Sequence, residues 1–588
     1  MSMKKVMAIL LTICMLVSLT ACGSSGEKKN NNSGTAATAT ETPAATETPT
    51  TAASASGITQ NGVGDIYGGL TALPDAGDPI TFTMFVRDPG TVPSKDNPIL
   101  KKITELTGVT IDFEFLVGDL DSKVGVMIAG EDYPDAIFAD GAKFTDAGAF
   151  IPLEDKLKSY PNLSAHYSPF SDKMTTTDGH QYIMELYSAT KAENAAPTFY
   201  DGGVGFFIQK AVLEDAGYPI PKTLDEYFKL IEDYKAKNPT IDGVKTVGFE
   251  VLSDGWRDYC LRNPAQHLMG AGNDGDAFVD LNTYTASLYQ ISDTAKSYYK
   301  KLNDEYQKGI IEAETFTESY DQYTSRISSG AVLGFFDQQW NFASAENLLK
   351  NDGKYNRTYV AVPIANPGVQ DSYLDAPTGT ITGINGVGIT TKCKDPDRLL
   401  KFYDWLLQPS VQNYLQWGDE GTDFTTTSDG GKMLTAERRT INNDTAKKRD
   451  LTGDTLWQYT PKLQGLYDDG TPCGPGDSKD EYLASQSEYD QNFLKAYNIQ
   501  YPAELLSKPA ERPAYYPVWG MTIADGSDAK VAQTKLADIC RKYYPQLVLS
   551  NPNDYDKLWD EFLKEVDSAN IQPYLDEVNK QIAKAMGK

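Results

Sequence analysis

Positive charge is scarce in this chain. Its 588 residues carry 54 Lys and Arg against 81 Asp and Glu, a formal net charge of -27. Such a chain repels polyanions, and no basic patch with interleaved aromatics offsets the repulsion, so nucleic acid is not an expected partner. Uronic-acid glycans are disfavoured more weakly, because a local basic pocket overrides net charge. Histidine is rarer still. With only His166, His180 and His267 present, and no cysteine pair at zinc-ligand spacing, a catalytic zinc site is not expected. Of six cysteines, Cys14 and Cys22 lie near the start, and Cys260, Cys393, Cys473 and Cys540 are far apart. Four cysteines allow three pairings and spacing does not choose among them. No compact disulfide framework is visible, so isolated buried thiols are expected. The chain lacks Gly-x-x-x-x-Gly-Lys-Ser/Thr, Gly-x-Ser-x-Gly and His-Glu-x-x-His. It is therefore read as neither an ATPase of the phosphate-loop type, nor a serine hydrolase of that type, nor a zincin. No cofactor is expected.

What is present begins at the N-terminus. Lys4 and Lys5 precede an apolar run from Val6 to Leu19, too short for a comfortable membrane span. It closes on Leu19-Thr20-Ala21-Cys22, which resembles a bacterial lipoprotein signal. That resemblance implies a signal peptide over residues 1–21 and lipid on Cys22. It also places the protein on the extracellular face of the cell membrane. One acyl chain anchors only marginally, so several are expected. Residues 22–78 are rich in Thr, Ala, Ser and Pro with few large apolar side chains, and read as a disordered tether. A flexible linker of this length spans on average about 40 Å. No later apolar run is long enough to cross a bilayer.

The body from Pro79 to the C-terminus is too long for one core and predicts two lobes. Ile80, Phe82, Met84 and Val86 alternate with polar residues as a strand does. Asn97-Pro98 then opens a helix that Gly108 ends, and Val109–Leu116 reads as a second strand. Asp119–Ala129 reads as a helix and Pro134–Phe138 as a third strand. The grammar restarts at Gly205–Gln209. Thr223 caps Leu224–Lys237 with Glu226 at the box position, Val247–Val251 and Ala331–Phe336 read as strands, and Asp395–Trp417 as one long helical region. Strands alternating with helices predict parallel sheets in an α/β fold.

Several stretches carry a resemblance over most of the body. They are Ile80–Pro89, Ile103–Asp112 and Gly130–Phe138, then Asn385–Thr390, Lys394–Arg398 and Trp417–Phe424. In their shared order they resemble family 1 extracellular solute-binding proteins, in particular the large, lipid-anchored sugar-binding type of Gram-positive bacteria. The resemblance implies a two-lobed, type II periplasmic-binding-protein-like α/β fold with a central ligand cleft, similar to the maltose-binding superfamily. Lobe 1 is expected over roughly 79–195 plus 380–425, and lobe 2 over roughly 196–379 plus C-terminal segments. The implied function is capture of a carbohydrate, chiefly an oligosaccharide, for an ABC importer permease. On this reading the chain is a monomeric binding protein and not an enzyme.

A sugar site combines flat aromatics with carboxylates, amides and arginines. Four clusters after expected strands supply that mixture. Arg87 and Asp88 follow the first strand, where a loop-stabilising ion pair is the alternative. Asp140 follows the third, where a helix cap is the alternative. Asp337 and Trp340 lie in Phe335–Phe342, and Trp256 and Arg257 in Ser253–Tyr259. The resemblance implies stacking aromatics at Trp340 and Trp256, with packing on the following helix as the alternative for Trp340. Trp519 is a further candidate, with core packing as its alternative. Trp405 sits among leucines at helical spacing and reads as core. Some relatives carry a calcium loop after the helix ending near Lys237. Here Asn238–Gly243 has Thr240 at a ligand position and Phe249 at the twelfth, so no metal is expected from it. Two other readings stay open: a secreted carbohydrate-active enzyme with paired carboxylates, and a peptide-binding or sensory surface receptor.

Overall fold

The computed structural model describes residues 69–588 except 177, 187–202, 375–384, 429 and 510–511, and leaves the side chains of Asp140 and Asn385 undescribed. The expected signal peptide, Cys22 and the tether as far as residue 68 lie outside the described residues.

The chain alternates strands and helices from the start: β1 (Ile80–Val86), α1 (Pro98–Thr107), β2 (Val109–Phe115), α2 (Leu120–Gly130), β3 (Ala136–Asp140) and β4 (Ile183–Glu185). The Asn97 side chain caps α1 by accepting the Leu100 N–H, Pro98 opens the helix, and Gly108 ends it at φ 66°. β1 runs parallel to both β2 and β3, with Val86 opposite Phe115 and Phe138.

A second set then follows: β5 (Val204–Gln209), α3 (Leu224–Lys237), β6 (Val247–Glu250), α4 (Tyr320–Ser328), β7 (Val332–Gln338), α5 (Gln339–Asn351) and β8 (Tyr359–Val362). Full capping boxes, Thr223 with Glu226 and Ser319 with Gln322, start α3 and α4. The chain next returns as β9 (Asn385–Ile389), which enters the first sheet between β3 and β4. The sheets have strand orders β2-β1-β3-β9-β4 and β8-β5-β7-β6.

Neither sheet is wholly parallel, which corrects the sequence expectation. β9 runs antiparallel to β3 and β4, and β5 antiparallel to β7 and β8; in the second sheet only the β7–β6 pair is parallel. The right-handed crossover rule binds a strand to its partner through a local helix. β5 follows β4 of the first sheet and β9 follows β8 of the second, so each enters its sheet from the other one and that constraint does not set its direction.

After β9 come α6 (Pro396–Leu406), α7 (Pro409–Trp417), α8 (Ala436–Asn443), α9 (Thr445–Leu451), α10 (Asp454–Tyr459), α11 (Glu488–Tyr497), α12 (Asp528–Leu549), α13 (Tyr555–Ser568) and α14 (Gln572–Ala585). The single long helix expected over Asp395–Trp417 is two, because Pro409 cannot continue the first and instead opens the second. Residues through Cys473 pack with the first sheet, alongside Phe82, Phe138, Trp405 and Tyr459. Residues from Phe493 to Ile582 pack with the second, alongside Phe206, Phe249 and Phe335. The tether expected as far as Asp78 is shorter at this end. Leu73 is buried in the first core, its N–H donates to the Leu106 carbonyl, and the Trp405 indole donates to the Thr71 carbonyl. Two apolar side chains, Leu70 and Leu73, are what dock this otherwise polar stretch. The four cysteines among the described residues are free thiols, with Cys260, Cys473 and Cys540 buried and Cys393 half-buried. None of the described helices is long and apolar enough to cross a membrane.

One buried carboxyl of the second sheet predicts a pH-dependent stability. Glu250, at the end of β6, is fully buried; its Oε1 accepts the Thr315 hydroxyl at 2.7 Å and its Oε2 lies 3.1 Å from Arg326 Nε. Arg326 also contacts Glu312 and Glu318. Burial pushes Glu250 up to about 8, against the pull of Arg326 and with a further push from Glu318. A folded pKa above the unfolded value stabilises fully below the unfolded pKa and is lost as pH rises toward the folded one. Glu250→Gln keeps the shape without the proton. Its stability, read from urea midpoints, is expected to gain on the parent as pH rises from about 5 to about 8. A difference that stays flat across that window would show Glu250 to be ionised throughout.

Candidate functional site

Strand β7 runs directly into α5, and Asp337 sits one residue before the junction with no exposed surface. Its carboxylate accepts the Tyr323 hydroxyl (2.7 Å), the Tyr259 hydroxyl (3.0 Å), the Asn341 amide (3.0 Å to each oxygen), the Cys260 thiol (3.2 Å) and the Gln338 backbone N–H (2.7 Å). Burial pushes the carboxyl above its ordinary value, and these donors pull it back. Asp337 was expected to fix a ligand hydroxyl. It has no surface from which to do so, and instead ties three separate segments to the end of β7.

Those segments carry the exposed aromatics. Trp340 is the second residue of α5 and is 49% exposed; Trp256 lies in a short 3-10 turn, Gly255–Asp258, after β6 and is 58% exposed. Gly255 has φ 55°, a left-handed turn that releases the chain from the strand. The two indoles lie nearly parallel, 12° apart, with centroids separated by 5.8 Å. Tyr259 flanks both, at 6.2 and 6.4 Å. The separation is too small for a sugar ring to enter between the indoles, so they form one stepped apolar shelf. Trp340 Nε1 donates to Gln338 Oε1 at 2.8 Å. The Arg257 guanidinium is held over Trp256 (4.5 Å) and Tyr320 (3.9 Å), and its Nε donates to Asn341 Oδ1 at 3.0 Å. A cation stacked on the shelf's flank and an amide at its edge supply the polar rim.

The first sheet contributes the opposing residues. Arg87 and Asp88 follow β1, both half-buried, and the Arg87 guanidinium lies over Phe138 at 5.2 Å. Burial raises the Asp88 carboxyl, while Arg87, Arg257 and a hydrogen bond from Tyr459 lower it. Asp88 thus stands in the field of Arg257 from the other sheet. Tyr459, at the end of α10, also packs on Phe138 with centroids 5.5 Å apart.

The structure therefore gathers Trp256, Arg257 and Trp340 around the Asp337 anchor, and relates Arg87 and Asp88 to them through Arg257. Asp140 ends β3, opposite Asn385 in the register, and its side chain is among those not described. Trp519 does not join the shelf. It is 43% exposed, donates to the Asn273 carbonyl at 2.8 Å, and among the described residues makes no ring contact with either shelf indole. Its neighbours are on the Asn273–Gly275 turn. Trp405 is 1% exposed, in the first core. Sequence reasoning missed Tyr320, Asn341 and Tyr459. Asn341 lay inside the Phe335–Phe342 cluster, but Tyr459 follows β1 by some 370 residues and carries no local signal.

No group of three His, Cys, Asp or Glu able to hold a metal occurs among the described residues. The Asn238–Gly243 loop closes as a small hairpin with Asp242 and Gly243 at φ 51° and 82°, and Asp242 pairs with Lys354 at 3.0 Å.

Removing the Asp337 carboxylate leaves two buried hydroxyls and an amide without acceptors. Asp337→Ala is expected to cost about 2–4 kcal/mol in urea unfolding, and Asp337→Asn, which keeps one carbonyl oxygen, less. An Ala variant as stable as the parent would show that the shelf does not depend on this anchor.

The geometry meets known proteins at several levels. The sequence profile for bacterial extracellular solute-binding proteins matches residues 99–428. The fructooligosaccharide ABC transporter substrate-binding protein FusA of Streptococcus pneumoniae is 25% identical over 508 residues, covering 81% of this chain and 85% of that protein. The lipoprotein LipO of Bacillus subtilis is 27% identical over 348 residues, 56% of this chain and 65% of that one. Among solved structures, FusA in complex with kestose superposes with a TM-score of 0.58 at 22% identity, over 86% of this chain and all of that one. An extracellular solute-binding protein from Bifidobacterium longum subsp. infantis gives 0.60 at 17%, over 88% and 100%. These neighbours share the two-lobed α/β fold.

Proposed function

The chain belongs to the bacterial extracellular solute-binding protein family, and from that premise we propose that it captures an oligosaccharide between its lobes and delivers it to the permease of an ABC importer. The observation that carries the ligand class is the Trp256–Trp340 shelf. Two parallel, half-exposed indoles at strand ends suit the C–H faces of successive sugar rings. Arg257 and Asp88, from opposite lobes, border that shelf and would take hydroxyls once the lobes close. The likeness to FusA, named for fructooligosaccharides, supports the same class. FusA and the Bifidobacterium protein are named as substrate- and solute-binding proteins, and the site is read as one that binds without cleaving. Lobe 1 is read as residues 79–186 with the return from β9 through Cys473, and lobe 2 as β5 through β8 with the C-terminal helices. Closure is a shift between open and closed populations, driven by contacts made to both lobes at once.

The anchor is part of the proposal. Leu19-Thr20-Ala21-Cys22, and a relative named as a lipoprotein, support lipidation of Cys22 at the outer face of the membrane, with the protein acting as a monomer. Cys22→Ser is then expected to move the protein from the membrane fraction to the medium, followed by immunoblot. Retention at the membrane would remove Cys22 as the anchor.

For the shelf, titration calorimetry with kestose and a panel of neutral oligosaccharides is the direct test. Trp340→Ala is expected to weaken the best ligand by more than about tenfold, as loss of a central aromatic anchor does. Undiminished affinity would take Trp340 out of the site, and a panel of peptides that binds where saccharides do not would overturn the ligand class.

A further inference from the structure

The first lobe holds a second cavity that shares no residue with the shelf. It measures about 310 Å³, at the small end of the ~300–1,000 Å³ range of ligand sites. Its walls come from α7 through α10 and the loop beyond, and include Gln416, Asn442, Lys448, Asp454, Trp457 and Asp477. All but Asp477 lie in the late segment that packs on the first sheet, and Asp477 follows it by a few residues, far in sequence from Trp256 and Trp340.

The wall chemistry is mixed and neutral. Lys448 Nζ lies 2.7 Å from Asp454 Oδ1, so the ammonium and carboxylate cancel. Arg438, also on the wall, pairs with Asp423 at 2.9 Å and donates to Asn442 Oδ1 at 3.2 Å. A charged solute therefore finds each wall cation already matched. Hydroxyl groups find donors and acceptors in the amides of Gln416 and Asn442 and in the ion pair. Trp457 adds a flat apolar surface. Lys462 Nζ covers one face of the indole at 4.3 Å, and the indole N–H is buried with no acceptor among the described residues. An orphan donor of this kind is costly to bury, and an acceptor arriving through the cavity would satisfy it after a small tilt of the ring. Asp477 accepts the Gly474 N–H at 3.1 Å, and burial pushes its carboxyl up to about 7, where it can donate as well as accept.

We propose that this cavity is a second binding site of the first lobe, taking a neutral polyhydroxylated unit of one or two sugar rings, independently of the shelf. The volume excludes a long oligosaccharide. The paired charges disfavour uronic acids, and the indole beside amides favours a sugar ring over a purely apolar solute.

The test uses the full chain labelled with 5-fluorotryptophan. Its seven tryptophans give seven ¹⁹F resonances, assigned by single Trp→Phe variants. Glucose, fructose, sucrose and kestose are titrated, with galacturonate as the charged control. The expected result is a saturable shift of the Trp457 resonance with at least one neutral saccharide and none with galacturonate. That shift should survive Trp340→Ala and weaken by about tenfold or more in Asn442→Ala, with the other resonances in place as evidence of folding. A Trp457 resonance that stays still across the panel to the solubility limit overturns the second site, whatever Trp340 does. A single titration moving Trp340 and Trp457 together at one ligand per chain also overturns it, making the cavity an arm of the shelf. Movement at Trp457 with none at Trp340 would support this site while sinking the shelf reading, so the two proposals fail separately.

Discussion

The Asp337 carboxylate is the constraint on which the aromatic shelf depends. It sits where β7 gives way to α5, out of reach of solvent, and gathers hydrogen bonds from α4, from α5 and from the turn after β6. An isolated charge in that position would be strongly disfavoured, so it persists only because every donor is present. The consequence runs outward. Tyr259 and Asn341 are held by Asp337, Asn341 holds Arg257, and Arg257 lies over Trp256. The parallel setting of two exposed indoles is thus fixed from beneath by one buried group, which pre-orders the shelf before any solute arrives.

The same economy is visible in how the lobes are built. Each sheet is completed by chain arriving from elsewhere: β9 enters the first between β3 and β4, and the C-terminal helices pack on the second. A buried ion pair, Lys210 to Asp490 at 2.7 Å, marks one such junction, tying α11 to the residue that follows β5. The late segment brings Tyr459 to Asp88 and the Trp457 cavity to the first sheet. No contiguous stretch of sequence contains the shelf or the cavity, and each forms only when distant segments dock, so loss of docking would dismantle either without changing any residue that lines it.

Much of the fold is legible in the residues themselves because its signals are local. Asn97-Pro98 and Gly108 bound α1, and Thr223 with Glu226 opens α3, each through hydrogen bonds a few residues long. Strand direction is not local, and the antiparallel β5 and β9 could not be read from alternation. The site divides along the same line. The aromatic clusters at Trp256 and Trp340 stand out in composition and prove to be neighbours. Asp337 was misread because the strand was taken to end at Phe336, whereas β7 runs on through Gln338 and keeps Asp337 buried at its end. Tyr459 and Trp457 belong to a short helix with no motif, and only tertiary docking reveals them.

The charge of the chain finally bears on what such a face can bind. At -27 overall, a long-range field opposes anionic solutes, while the nearby cations are committed. Arg257 is held by Asn341 and two aromatic rings, and Arg87 lies over Phe138 beside Asp88. An anion reaching Arg257 would compete with the Asn341 amide oxygen and meet the nearby Asp88 carboxyl. A neutral, polyhydroxylated solute asks for no such exchange. Its apolar ring faces gain from the indoles, and its hydroxyls add hydrogen bonds beside those already made. Net charge and the exposed indoles thus argue in the same direction, toward an uncharged saccharide: the long-range field opposes anions, and the shelf offers apolar surface to ring faces.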